Sequence, residues 1–272
     1  MTESPASDRP IGFTDVDNSD EPDRLLNAMD ATAQWPAVQN LREWSLPLLS
    51  GVGDVLDVGC GLGDVLMSIA EANPGPRFVG VEKSTEMIEA ARTRAAGRGI
   101  EATFKEADAT ALPFDDGEFD AVRSERMLQH LTDPQKAVDE MTRVTKPGGR
   151  VVLIDTDWRT FGSTTDPQFE HRLRAAGSPL PSSHAGGFLR SYALGAGLTD
   201  VEVHPVVHHA TRREADGSDG LPPHDVIIEF RASQGFDRAE LTAYFREMTR
   251  QSDNGTLSVV LTMWGATGTV PT

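Results

Sequence analysis

Apolar residues near the start of the chain recur at helical spacing: Leu25, Leu26 and Met29, then Val38, Leu41, Trp44 and Leu48, with Pro36 and Pro47 as punctuation. This pattern predicts two short helices ahead of the main domain. A regular alternation then begins. Short apolar, β-branched runs at Val55–Val58, Phe78–Val81, Thr103–Ala107, Phe119–Val122 and Val151–Ile154 read as strands. Between them lie helical stretches. One covers Asp64–Ala72 and stops at Asn73-Pro74-Gly75-Pro76. A second is capped by Ser84 and runs to about Ala96. A third is started by Asp133-Pro134, runs through Val144 and is ended by Lys146-Pro147-Gly148-Gly149. Five strands alternating with helices predict a parallel sheet covered on both faces. Beyond Asp157 the rhythm loosens. A helix near 186–196, a strand near 200–207, a helix near 237–250 and a strand near 257–267 are expected, with 211–224 (TRREADGSDGLPPH) as an exposed loop.

Composition narrows the function classes. The 272-residue chain carries a formal net charge of −17, which disfavours nucleic acid and anionic membrane partners. It has no cluster of lysines and arginines interleaved with aromatics, and no run of 18 apolar residues. Residues 1–30 hold eight acids against two arginines and read as an acidic leader passing into a helical lid, so that 1–48 stand apart from a domain over 49–272. The start of the chain lacks a secretory pattern, and Cys60 is the single cysteine, which together fit a cytoplasmic protein.

The chemistry concentrates at VLDVGCGLGDV, residues 55–65. In the dinucleotide fingerprint the third small residue lies three positions after the second glycine. Here Gly59 and Gly61 are followed by Gly63, one position early, and the expected small position holds Asp64. A carboxylate at this helix N-terminus, with Asp57 one turn earlier, suits the helix dipole but repels phosphates. The loop therefore suits a cationic or zwitterionic ligand without phosphate. S-adenosylmethionine answers that description. Glu82, ending the second strand, is placed to accept ribose hydroxyls, and Asp108, after the third, to accept an adenine amino group.

VLDVGCGLGD, GVEKS, EADATALPF, FDAVRSERMLQHL and RVTKPGGRVVLID, in that order over about residues 50–158, resemble the successive motifs of class I S-adenosylmethionine-dependent methyltransferases. The resemblance implies an α/β, Rossmann-like three-layer sandwich with a seven-stranded, mostly parallel sheet whose last strand is antiparallel. It implies cofactor contacts at Asp57, Gly59, Cys60, Gly61, Gly63, Glu82, Lys83, Met87, Asp108, Ala109 and Ser124, with S-adenosylhomocysteine as product. GFTDVDNSDEP and ERMLQHL are similar to segments of small-molecule methyltransferases of bacterial secondary metabolism, antibiotic biosynthesis included. Residues 160–256 match no family detail, and insertions at about 159–190 and 208–225 are expected to cover a substrate.

His130 follows the fourth strand, where an imidazole suits removal of an acceptor proton; the bland reading is a packed histidine or a cap of the helix after Asp133. Asp155 and Asp157 leave the fifth strand on one face, either to orient a substrate or simply solvated. Trp35, Asp157, Trp158, His184 and Phe188 are candidate acceptor contacts, with core packing the default for the aromatics. Arg123, Glu125 and Arg126 read as a salt-linked cluster. His204 and His208 have H-x-x-x-H spacing, but Pro205 and the flanking valines place them on a strand, where four residues span about 13 Å, so no metal site is expected. The function that emerges is methyl transfer to a small molecule. The alternatives are a non-methylating enzyme of the same fold, such as a cyclase, and a non-catalytic cofactor-binding module. The misplaced glycine and Asp64 argue against a nicotinamide dehydrogenase. The acceptor, its methylated atom and the oligomeric state are not encoded legibly.

Overall fold

A computed structural model describes Asp17 and residues 22–272. The first residues of the acidic leader and the segment GFTDVDNSDEP therefore lie outside the described residues, Asp17 and Pro22 excepted. The elements run α1 (Pro22–Ala33), α2 (Pro36–Ser45), β1 (Val55–Val58), α3 (Asp64–Ala72), β2 (Phe78–Glu82), α4 (Thr85–Arg98), β3 (Thr103–Glu106), β4 (Phe119–Glu125), α5 (Pro134–Val144), β5 (Thr145–Ser163), α6 (Pro167–Ala175), α7 (Ala185–Gly195), β6 (Thr199–Ala210), α8 (His224–Ser233), α9 (Arg238–Asp253) and β7 (Val259–Thr269). The strands form one seven-stranded sheet in the order β3-β2-β1-β4-β5-β7-β6, with β1, β2, β3, β4 and β5 mutually parallel. Backbone bonds from Gly148 N to Val270 O (2.8 Å) just past one end of β7 and from Thr164 N to Ser258 O (3.0 Å) just before the other run β7 antiparallel to β5. The expected Rossmann-like sandwich is the observed one.

Alternation along the central strands divides the core into two layers. Leu56 and Val58 of β1, Val122 of β4 and Val151 and Leu153 of β5 pack with α5 and α7 on one face. Val55, Ala121 and Val152 pack with α3 and α4 on the other. All four residues of β1 are buried, as expected of a strand covered on both faces. Local signals act as read. Ser84 Oγ accepts from Met87 N (3.1 Å) at the start of α4, and the Asp133 carboxylate accepts from Lys136 N (3.1 Å) at the start of α5.

The chain separates into two compact units. The larger holds 39–157, 181–206 and 263–272; the smaller holds 158–180, 207–262 and the described part of 1–38. The core of the smaller unit is aromatic and aliphatic, with Phe169, Leu241, Tyr244, Phe245, Met248, Leu257 and Val259 buried together. Within it the buried Glu170 carboxylate accepts from Ser163 N (2.8 Å) and Tyr244 Oη (2.8 Å), joining β5, α6 and α9.

Three sequence expectations fail here. First, β5 is 19 residues long, not four. Lys146-Pro147-Gly148-Gly149 does not break it. Phe119 pairs with Thr145 while Ala121 pairs with Arg150, so the Pro-Gly-Gly stretch is accommodated as a bulge in the ladder, with Gly148 at φ 77°. Second, 211–224 is not simply an exposed loop. Arg213 is buried, its Nη1 donates to both Asp219 oxygens (2.7 Å), and Gly220 sits so close to α1 that a Cβ would lie 2.4 Å from Thr32 Cγ2. Third, helices α6 and α8 form where no helix was expected.

Candidate active site

β1 ends in the glycine loop, and the backbone explains its composition. Gly59, Gly61 and Gly63 have φ of 71°, 53° and 77°, a region that costs other residues energy. A Cβ on Gly59 would lie 2.4 Å from Met127 Cγ, and one on Gly63 2.6 Å from the Phe104 ring. Gly59 N and Cys60 N both donate to Val81 O (2.8 and 3.0 Å), binding the loop to the end of β2. There Glu82 faces it. Its Oε2 accepts from Gly61 N (3.2 Å) and its Oε1 from Lys83 N (2.7 Å) and Ser84 N (3.3 Å). Cys60 is half-buried, and burial, reinforced by Asp57 and Glu82, pushes its thiol well above the usual range, so it stays protonated.

Asp57 and Asp64 do not present the free negative charge that their place in the sequence suggests. Asp57 and Asp64 are both compensated by arginine. Asp57 pairs in register with Arg123 across β1 and β4, and Arg123 Nη1 donates to both its oxygens at 3.0 Å. Burial pushes Asp57 up to about 6 even against Arg123. Arg123 Nη2 also donates to Glu125 (2.9 Å), which takes Arg42 of α2 on its other side at 2.7 Å. Burial opposes ionisation of Glu125, but Arg42 and Arg123 outweigh it and hold the carboxyl at about 2. The expected Arg123–Glu125–Arg126 cluster therefore exists, with Arg126 Nε 3.7 Å from Glu125, and it extends to Asp57 and Arg42, which sequence reasoning missed. Adjacent register on neighbouring strands was the available signal for Asp57; Arg42 left none. Asp64 meets Arg94 (2.5 Å) and Arg98 (3.6 Å). What disfavours phosphate at the loop is instead the Gly61 amide, a donor that Glu82 already engages.

Around the ends of β3, β4 and β5 lie the remaining candidates of the larger unit. Asp108 is exposed, and its Oδ1 accepts from Thr110 N (2.8 Å) and Oγ1 (2.7 Å), bonds that lower its pKa. Lys83 is exposed, Met87 is buried in the first turn of α4, and Ala109 is half-buried. Ser124 is fully buried, and its Oγ has no hydrogen-bond partner among the described residues. Arg126 takes the left-handed conformation (φ 54°) with its N donating to Ile154 O (2.7 Å), a strained setting of the kind that marks functional turns. His130 closes the next turn, with its Nε2 3.3 Å from Gln129 Nε2. Burial, then Arg126, lowers it to about 4, so it is neutral at pH 7. Gln129 N and Thr156 N donate to Asp155 (3.2 and 2.7 Å), whose carboxyl burial raises to about 7. Asp155 and Asp157 are buried, at 0% and 4% exposure, so the solvated reading of both fails. Of the acceptor candidates, Asp157, His184 and Phe188 belong to the larger unit and Trp35 and Trp158 to the smaller. His184, the residue before α7, meets Phe188 of that helix edge to face (4.9 Å), and His184 Nε2 lies 3.3 Å from Tyr192 Oη. His204 stacks on Trp44 (5.2 Å), on a strand as expected. Among the described residues no three histidines, cysteines or acids are grouped to hold a metal.

With this geometry in place, the family model described as "Methyltransferase domain" matches residues 56–153, the span from β1 into β5. Residues 56–153 therefore form a methyltransferase domain. The methyltransferase domain is 43% identical over 101 residues to a demethylmenaquinone methyltransferase of Thermus thermophilus, a match covering 37% of this chain and 46% of that one. The chain spans about half the length of the curated relatives it matches. In fold it is similar to the YcgJ protein of Bacillus subtilis (TM-score 0.61, 22% identity, 86% of this chain and 99% of that chain). It is also similar in fold to the [4+2]-cyclase SpnF (TM-score 0.57, 19% identity, 96% of this chain and 98% of that chain). No described helix is long and apolar enough to cross a membrane.

Proposed function

We propose that the protein transfers a methyl group from S-adenosylmethionine to a small-molecule acceptor. The observation that carries this reading is Glu82, held between the Gly61 amide and the backbone at the start of α4, so that the loop offers a carboxylate where a phosphate site would offer free amides. The residues present fit the cofactor. Glu82 and Asp108 supply acceptors for a diol and an amino group, Met87 an apolar surface, and Gly59, Cys60, Gly61 and Gly63 a floor without bulk; Asp57, Lys83, Ala109 and Ser124 complete the set. Asp57 acts by fixing Arg123 and the end of β1, since its oxygens are occupied.

The bound cofactor supplies a methyl group already activated on a sulfonium. The protein therefore aligns, excludes water and manages one proton. His130, neutral at pH 7, receives the proton that the acceptor loses as its new bond to carbon forms. Because its pKa lies well below neutrality, it passes that proton on to solvent rather than keeping it. The acceptor is a small molecule: the match to a quinone-pathway enzyme makes an aromatic precursor the first candidate, and a secondary metabolite is the second.

Transfer of label from methyl-tritiated S-adenosylmethionine tests the reading, with demethylated naphthoquinol and a metabolite extract as separate acceptor pools. Label in one small-molecule product supports it. Cofactor binding without transfer to either pool overturns it in favour of a non-methylating enzyme or a binding module.

A further inference from the structure

The smaller unit contains a cavity of about 430 Å³, within the usual range for small-molecule sites. Its exposed wall area is mostly apolar, with Phe161, Leu221, Val259 and Leu261 among the lining residues, and Trp35 and His208 stand beside Gln34, Ser218 and the charged Arg212, Arg213 and Asp219. These two rings stack at 4.4 Å with an 18° angle. The platform is fixed from behind. Trp35 Nε1 donates to Asp219 O (2.9 Å), and the Asp219 carboxylate is itself held by Arg213 Nη1 (2.7 Å), Glu214 N (3.0 Å) and Leu221 N (3.1 Å). Arg213 is spent in this way, its Nη2 being bound to Pro222 O and its Nη1 also to Glu214 O. His208 is 93% buried, and its Nδ1 is buried with no hydrogen-bond partner among the described residues. A buried polar atom left unpaired is uncommon and calls for an explanation.

Charge and shape define what such a site accepts. The one buried cation in the wall is matched by Asp219, and burial keeps His208 neutral by lowering its pKa. The other cation of the lining, Arg212, is exposed and lies 3.6 Å from Glu214, so a charged ligand would lose its hydration and find no unmatched counter-charge there. Two stacked rings bordered by aliphatic walls favour a flat molecule, and a neutral imidazole offers one polar edge. We propose that the cavity binds one uncharged, planar, largely apolar small molecule, seated against the Trp35–His208 pair. Identifying that molecule as the methyl acceptor rests on the function proposed above; the binding site itself does not.

Calorimetric titration of the full chain with 1-naphthol tests the site, with 1-naphthoate as an anionic analogue of the same ring system and cyclohexanol as a non-planar alcohol. The expected result is saturable binding of one naphthol per chain, with both controls at least about tenfold weaker. Ala210→Leu and Ala31→Leu, which add bulk to two cavity walls, and His208→Leu each weaken naphthol binding about tenfold or more. An unchanged thermal midpoint and continued protection of 211–224 from limited proteolysis show that the smaller unit of each variant folds. Naphthoate binding as tight as naphthol, no saturable naphthol binding, or naphthol binding unaffected in both cavity-filling variants overturns the proposal. Naphthol binding intact in a chain that transfers no methyl group overturns the enzymatic reading alone.

Discussion

Two buried arginine–aspartate pairs, one in each unit, show opposite relations between charge and fold. Arg123 and Asp57 face each other in register on neighbouring parallel strands, with side chains 1% and 2% exposed. The strands that carry them are specified by the apolar residues around them, so the pair is a polar inclusion in a sheet that hydrophobic burial already defines. Arg213 and Asp219, 3% and 19% exposed, sit in a segment with almost no apolar residues. There the ion pair, with the backbone amides it gathers, is what gives 211–224 its shape. The same chemistry is thus an accommodation in one place and a construction in the other. Its removal should have different signatures.

The largest effect is expected from Arg123→Met. It strands Asp57 as a buried carboxylate while Glu125 keeps Arg42 at 2.7 Å, and losing one partner of a buried pair costs about 3–5 kcal/mol. Urea denaturation should show that loss as a lower midpoint, and Asp57→Asn in the same chain should restore a large part of it. If the double variant is no more stable than the single one, the pair is not an inclusion in an otherwise sufficient sheet.

Arg213→Met should cost about 2 kcal/mol, the scale of lost hydrogen bonds to charged groups with one partner partly solvated. Its more specific sign is local. Limited proteolysis should cut within 211–224 while cofactor binding by the methyltransferase domain persists. Resistance to cleavage would mean that packing of Gly220 and Leu221, not the ion pair, holds the loop.

His130 sharpens the contrast from the side of pH. Its pKa falls from the usual 6.5 to about 4 in the folded chain. The unfolded chain therefore binds the proton more readily, and stability tied to neutral His130 is complete above about 6.5 and is lost as pH falls toward 4. Melting temperatures of the wild type and His130→Asn should diverge over that window, the wild type losing ground as the solution becomes more acidic. A constant difference between pH 4 and 7 would place His130 in a more open setting.

The smallest change belongs to Asp64→Ala. This carboxylate is 42% exposed and pairs with Arg94 and Arg98 at the surface, so stability should shift by no more than about 1 kcal/mol. Affinity for S-adenosylhomocysteine, read by calorimetry, should move less than about threefold. A large gain or loss of affinity would return Asp64 to the role that its place in the sequence first suggested.

The sequence by itself determined the frame of the larger unit: the β1 boundaries, the capped starts of α4 and α5, and the positions of the glycine loop, Glu82 and Asp108. These depend on local signals, namely apolar periodicity, capping chemistry and backbone angles open to glycine, all of which act over a few residues. The run of methyltransferase motifs was legible for the same reason. Only the tertiary structure decided where charge is spent. Asp57 and Asp64 look like free acids in the chain, and their neutralisation by Arg123, Arg94 and Arg98 requires strands and helices to be assembled first. Likewise the bulge that carries β5 through Pro147, the burial of Asp155 and the cavity beside Trp35 and His208 arise from contacts between residues far apart in sequence. Periodicity reports which face of an element is apolar, but the partner of a buried charge is chosen by whichever element the fold brings against it.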